Sequence, residues 1–192
     1  MKILGISGSL RRGSYNTSLL GAAAGLLPDD VEFELWGGLK AVPPYDEDDD
    51  TTEAPAAVAA LREAIAGADG VLFATPEYNS SVPGQLKNAI DWASRPLATN
   101  SLRNKPVAVV GASTGAFGAV WSQAELRKVL AATGARVVEG EVAVGHAPTR
   151  FDEKGRLVDE NLLEQLEEVV AGLVVAAAAR REALDPPLAS AV

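Results

Sequence analysis

Two stretches of this chain, Val71-Leu72-Phe73-Ala74 and Val107-Ala108-Val109-Val110, are apolar without interruption. A strand with one face in water alternates apolar and polar residues. Unbroken short runs therefore mark strands covered on both faces, the condition of a parallel sheet. Candidate strands around these two runs and at three other places are residues 2–7, 31–36, 70–75, 105–112 and 136–144. Helical stripes separate them. Val58, Leu61, Ile65 and Ala68 recur at intervals of three and four, with Thr52 as the expected cap and Pro55 in the first turn. Leu86, Ile90 and Ala93 mark a helix over 83–94, and another over 118–133 closes on Gly134. The last stripe carries Leu162, Leu163, Leu166, Val169, Val170, Leu173 and Val174. Asp159 and Glu160 open it and Arg180 and Arg181 close it, as the helix dipole prefers.

Strand and helix in alternation predict an α/β fold, an open five-stranded parallel sheet with helices on both faces and the order 2-1-3-4-5. Residues 1–184 read as a single domain, and 185–192, with two prolines, as a mobile tail. In such a sheet ligands sit beyond the carboxyl ends of the strands, at the switch point beside strand 1. The loops after strands 1, 3 and 4 are then the ones that carry function.

The first of these loops is Gly5-Ile-Ser-Gly-Ser-Leu-Arg-Arg-Gly-Ser-Tyr-Asn16. A strand that turns through Gly and Ser into a helix N-terminus presents free N–H groups and the positive end of a dipole to one point, a phosphate site. Ser9, Ser14 and Asn16 supply polar side chains, and Arg11 a planar fork that can bond two phosphate oxygens. No Gly-x-x-x-x-Gly-Lys-[Ser/Thr] loop occurs. The glycines at 5, 8 and 13 do not have the dinucleotide spacing, and the second strand ends in Trp36-Gly37 without the acidic residue a dinucleotide ribose needs. A mononucleotide with one terminal phosphate fits better.

After strand 3 comes Thr75-Pro-Glu-Tyr-Asn-Ser-Ser-Val-Pro-Gly84, and after strand 4 Gly111-Ala-Ser-Thr-Gly-Ala-Phe-Gly118. The set lacks hydrolase machinery. There is no cysteine, so thiolate nucleophiles, disulfides and Cys-based metal sites are excluded, and the lone His146 cannot build a metal cluster. It reads as a loop or capping residue. A phosphate grip with backbone-rich walls suits a flat cofactor that carries its own chemistry. The run Asp46-Glu-Asp-Asp-Asp50 reads as solvated charge rather than a cation site. Lys87 and Asp91 read as an ion pair one turn apart, and Trp92 as a packing or subunit-contact residue. With a net charge of −9 and no long basic stretch, nucleic-acid binding is disfavoured. No signal-peptide core opens the chain, and its longest run without polar side chains, residues 169–179, is short of the ~20 a spanning helix needs. A soluble, cytoplasmic protein is expected.

These three loops together resemble the NADPH-dependent FMN reductase family, its soluble chromate and quinone reductases in particular. The resemblance rests on Ser-Gly-Ser-Leu-Arg-Arg-Gly-Ser-Tyr-Asn, Pro-Glu-Tyr-Asn-Ser-Ser-Val-Pro-Gly-Gln-Leu-Lys-Asn-Ala-Ile-Asp-Trp and Ser-Thr-Gly-Ala-Phe-Gly in that order, and covers nearly the whole chain. It implies a flavodoxin-like three-layer sandwich, bound FMN, NADPH or NADH as transient co-substrate, and a homodimer or homotetramer. Ser9, Arg11, Ser14 and Asn16 would hold the phosphate. Pro76, Glu77, Tyr78 and Asn79 would line the isoalloxazine and ribityl, largely through backbone groups, and Ser113 and Gly115 would close the far side. No side chain would act as nucleophile and no metal is implied. One departure is visible: Gly115-Ala116 stands where members often have Gly-Gly. The resemblance further implies a loop at 46–50 bordering the substrate opening, and ping-pong electron transfer to a quinone, chromate, azo or flavin acceptor. Competing readings are an FMN electron-transfer protein without nicotinamide activity and a receiver domain. The latter would need acidic residues where Ser7-Gly8-Ser9 stands.

Overall fold

In a computed structural model, described for residues 1–51 and 53–184, every strand runs parallel. β1 (Lys2–Ser7) lies between β2 (Glu32–Trp36) and β3 (Gly70–Thr75), and β4 (Pro106–Ala112) follows β3. The fifth position is divided between β5 (Arg136–Val137) and β6 (Ala143–Val144), both paired to β4. The order β2-β1-β3-β4-β5 is that of a flavodoxin-like fold.

All residues of β3 and β4 are buried, which explains why their sequences do not alternate. Alternate side chains enter two separate cores. Leu4, Ile6, Val71, Phe73, Val107 and Val109 meet α2 (Ala56–Ala66), α3 (Gly84–Ala93) and α4 (Val120–Ala132) on one side. Ile3, Leu72, Ala74, Ala108 and Val110 meet α1 (Tyr15–Ala24) and α5 (Glu160–Leu184) on the other. Each large side chain so buried contributes about 1.5–3 kcal/mol.

Three local expectations need correction. The fifth strand is not continuous over 136–144, because Glu139-Gly140-Glu141 interrupts the apolar run. There Arg127 reaches from α4 and donates through Nη2 to Val109 O (3.2 Å) and Gly140 O (2.6 Å), standing in for ladder bonds. Helix α2 begins at Ala56 with Pro55 as its N-cap, one step outside the first turn, and the expected Thr52 cap lies outside the described residues. The buried stripe of α5 is Leu166, Val169, Val170, Leu173 and Ala177; Val174 lies beside it, partly exposed. The expected tail, 185–192, also lies outside the described residues. No helix among the described residues is long and apolar enough to cross a membrane.

Candidate functional site

The turn from β1 into α1 is held by its own serines. Ser7 Oγ accepts from Ser9 N (3.3 Å) and Thr17 Oγ1 (3.1 Å), and Ser9 Oγ accepts from Arg11 N at 3.4 Å. Ser14 caps α1, its Oγ accepting from Asn16 N at 3.2 Å. Among the described residues, the N–H groups of Tyr15 and Thr17 find no intramolecular partner. These are the orphan donors a helix N-terminus leaves for an anion. The Arg11 guanidinium lies over the Tyr15 ring, 5.4 Å from its centroid, and gives one bond to Arg12 O, leaving its other donors free. Tyr15 in turn packs on Phe151 with centroids 5.5 Å apart. Free amides and a guanidinium at one helix end fit a terminal phosphate.

Asn16, which lines the cleft between the three loops, has a further task that its sequence context does not announce. Its Nδ2 donates to Ala112 O and its Oδ1 accepts from Ala112 N, each at 2.9 Å, so the buried carboxamide ties the first loop to the end of β4. The third loop is fixed from behind. Ser113 N donates to Val144 O (3.0 Å), Ala147 N to Ser113 O (3.0 Å) and His146 N to Gly115 O (2.8 Å). A Cβ at Gly118 would come within 2.3 Å of the Ala143 carbonyl carbon, and one at Gly145 within 2.1 Å of Ala116 O. These glycines serve backbone-on-backbone packing rather than close approach of a ligand. The pairing holds Gly115-Ala116 without a second glycine there. His146 is an exposed loop residue.

Between these loops stands the strap that follows β3. Tyr78 and Ser81 exchange backbone bonds (3.2 and 3.1 Å) around Asn79 (φ 53°) and Ser80 (φ 57°), a tight hairpin turn with both central residues left-handed. Tyr78 is 54% exposed, so its ring stands at the rim rather than packing at the base of the loop. Glu77 turns its carboxylate away to α4, where Oε2 accepts from Trp121 N and Ser122 N, both at 3.1 Å. Ser81 Oγ donates to Glu125 Oε2 at 2.5 Å. That hydroxyl, opposed by desolvation and helped by the Val82 backbone amide and more weakly by Lys128 and Lys87, holds the Glu125 carboxyl below its ordinary range.

The three loops enclose a cleft of about 340 Å³ at the carboxyl ends of β1, β3 and β4. Ser9, Arg11, Ser14, Asn16, Pro76, Glu77, Tyr78 and Ser113 line it; Asn79 and Gly115 do not. Three lining residues escaped sequence reasoning: Tyr15, Ala112 and Thr114. All three adjoin residues that were chosen, and Tyr15 sits inside the quoted motif. A wider groove of about 720 Å³, lined among others by Lys87, Asp91, Arg95, Asn100 and Thr133, opens by the segments leading into β4 and β5. That is the opposite edge of the sheet, and none of the three loops reaches it.

Residues 1–149 match the family model described as NADPH-dependent FMN reductase. The chain belongs to that family. An NAD(P)H-dependent FMN reductase of Pseudomonas aeruginosa is 44% identical over 174 residues, spanning 90% of this chain and 93% of that protein. A 2-hydroxy-1,4-benzoquinone reductase of Burkholderia sp. is 41% identical over 170 residues, 87% of this chain and 91% of the relative. A quinone reductase of Escherichia coli K12 is 38% identical over 169 residues, 86% and 89% of the two chains. Among solved structures, the flavoenzyme NAD(P)H:(acceptor) oxidoreductase FerB of Paracoccus denitrificans superposes with a TM-score of 0.81 at 34% identity. That superposition covers 93% of this chain and 97% of FerB. As an FMN reductase the chain is an oxidoreductase, with FMN as its flavin and NAD(P)H as its electron donor.

The motif that follows the strap has a structural reading in this FMN reductase. Gln85 Nε2 donates to Leu39 O and Val42 O, Asn88 Nδ2 to Pro43 O, and Trp92 Nε1 to Pro43 O at 2.9 Å. Trp92 is fully buried, which removes the subunit-contact alternative. The acidic run is not wholly solvated: Asp50 pairs with Arg62 at 2.8 Å and is largely covered. Lys87 and Asp91 form the expected ion pair, 2.7 Å apart.

Proposed function

We propose that the cleft binds FMN with its phosphate on the first loop, and that the protein transfers electrons from NAD(P)H to a quinone by a ping-pong route. When bound, FMN supplies the hydride chemistry. The chain supplies placement. Ser9, Arg11, Ser14 and the free Tyr15 and Thr17 amides hold the phosphate end, while Asn16 keeps that loop in register with β4. The backbone of Pro76, Glu77 and Tyr78 forms one wall, with Asn79 in the turn beyond it, and Ser113 and Thr114 form the other, with Gly115 behind them. The lining side chains with charged or phenolic groups are Arg11, Tyr15, Glu77 and Tyr78, and the Glu77 carboxylate is bonded to α4. None is placed as a nucleophile.

The observation that carries this reading is the meeting of orphan helix amides, a free guanidinium and two further loops around one cleft. The names of the Burkholderia and Escherichia coli relatives favour a quinone over chromate, azo or free-flavin acceptors. The reading extends to a cytoplasmic homodimer or homotetramer, whose mass light scattering measures. Absorbance of the purified protein, with and without added FMN, tests the cofactor. Initial-rate kinetics with NAD(P)H and a quinone test the route: parallel double-reciprocal lines are expected, and intersecting lines would rule out a shared site.

A further inference from the structure

Helix α4 starts without a cap of its own. Its N-cap residue is Ala119, at φ 64°, whose methyl group accepts nothing. The orphan amides of Trp121 and Ser122 are met instead by Glu77, a residue 44 positions earlier in the chain, through one carboxylate oxygen at 3.1 Å from each. One turn further along the same helix, Glu125 takes the hydroxyl of Ser81 at 2.5 Å. A third tie lies beneath: the buried Thr75 Oγ1 is 2.8 Å from Ser122 Oγ and donates to Pro76 O, also at 2.8 Å. The strap is thus fastened to α4 at both ends of its turn. The turn itself holds two non-glycine residues at positive φ, a shape that persists only where surroundings impose it.

We propose that Glu77 is a positioning residue that fixes the strap against α4 and offsets the positive end of that helix, keeping the reduction potential of bound flavin low. The inference rests on the FMN reading given above. Glu77 lines the cleft while its carboxylate is bonded to the α4 terminus, so the charge and the helix end it covers stand one side chain's length behind the cleft wall. A helix N-terminus carries about half a positive charge. Reduction adds negative charge to a flavin, so a bare α4 terminus behind the wall would favour the reduced form. A full negative charge bonded to that terminus opposes it. Geometry and charge can be separated, because a glutamine keeps an oxygen for both amides and loses the charge.

The test compares wild type, Glu77→Gln and Glu77→Ala, each titrated with FMN and poised against redox dyes for the midpoint potential. Glu77→Gln is expected to bind oxidised FMN within about threefold of wild type. It should also favour the reduced flavin by roughly tenfold more, which for a two-electron couple is an upward shift of about 30 mV. Glu77→Ala is expected to bind oxidised FMN at least about tenfold more weakly, since the strap loses its anchor. A Glu77→Gln potential at or below that of wild type would overturn the electrostatic role, and unchanged FMN affinity in Glu77→Ala would overturn the positioning role. Should Glu77→Ala fail to fold, Glu77→Gln alone decides. Wild-type protein that takes up no FMN would overturn the function reading itself, before any variant is compared.

Discussion

The side chain of Asn16 and the backbone of Ala112 form a closed pair, with Nδ2 bonded to the carbonyl and Oδ1 to the amide, each at 2.9 Å and each buried. One residue stands in the first turn of α1 and the other at the last position of β4. The pair therefore holds two walls of the cleft at one spacing. Asn16→Ala leaves a buried N–H and a buried C=O without partners, at about 1–3 kcal/mol each. The expected result is a loss of about 2–5 kcal/mol in urea unfolding, together with weaker FMN retention. A variant as stable as wild type would show that water replaces the carboxamide without loss.

Arg11 is the one cationic side chain lining the cleft among the described residues. A charge-assisted bond to phosphate contributes about 1.5–3 kcal/mol, so Arg11→Ala should weaken FMN binding by roughly ten- to a hundredfold. Riboflavin, which lacks the phosphate, should bind wild type and variant alike. Equal losses for both ligands would move Arg11 out of the phosphate grip.

How much of this was legible depends on how far apart the partners lie. β1 and β3 end where the apolar runs end, because two-sided burial is written into consecutive residues. The phosphate loop is likewise local: strand, turn, Ser14 cap and helix follow one another. The bond of Asn16 to Ala112 was not legible because its partner is 96 residues away, and nothing near it announces Ala112. That Glu77, a cleft-lining residue, also caps a helix was hidden for the same reason, α4 lying 44 residues on. The fifth strand breaks at Glu139-Gly140-Glu141, where Arg127, a residue of α4, takes up the backbone carbonyls Val109 O and Gly140 O. Side chains that answer distant backbone groups leave no periodic signal.

The Asn88 amide illustrates a tie of this kind with a consequence for motion. It accepts from Tyr45 N at 2.7 Å and donates to Pro43 O at 2.8 Å, fastening the start of the acidic segment to α3. In Asn88→Ala the Pro43 carbonyl keeps Trp92 Nε1, but the Tyr45 amide loses its partner. Global stability should fall by only about 1–3 kcal/mol. Cleavage after the exposed Glu47 by a glutamate-specific protease should accelerate by more than that fall alone explains. Cleavage that tracks global unfolding would mean the segment opens only with the whole domain.

Lys105 is 1% exposed, its ammonium directed at Ala66 O and Ala68 O where α2 ends. Burial, reinforced by the charge of Arg180 and opposed by Asp69, lowers its pKa from 10.5 to about 8. The sign follows from proton counting. Between about 8 and 10.5 the unfolded chain holds a proton on this lysine that the folded chain has released. Stability contributed by this group therefore rises with pH across that window. Below the window both states are protonated and the folded state bears the full cost of a buried charge. Lys105→Met removes the titration and, at every pH, the two bonds to α2. The stability of wild type relative to Lys105→Met should then shift in favour of wild type as pH climbs from about 8 to 10.5 in denaturant unfolding, other groups cancelling in the comparison. A difference constant over that range would mean that the two carbonyls hold the ammonium charged as firmly as water does.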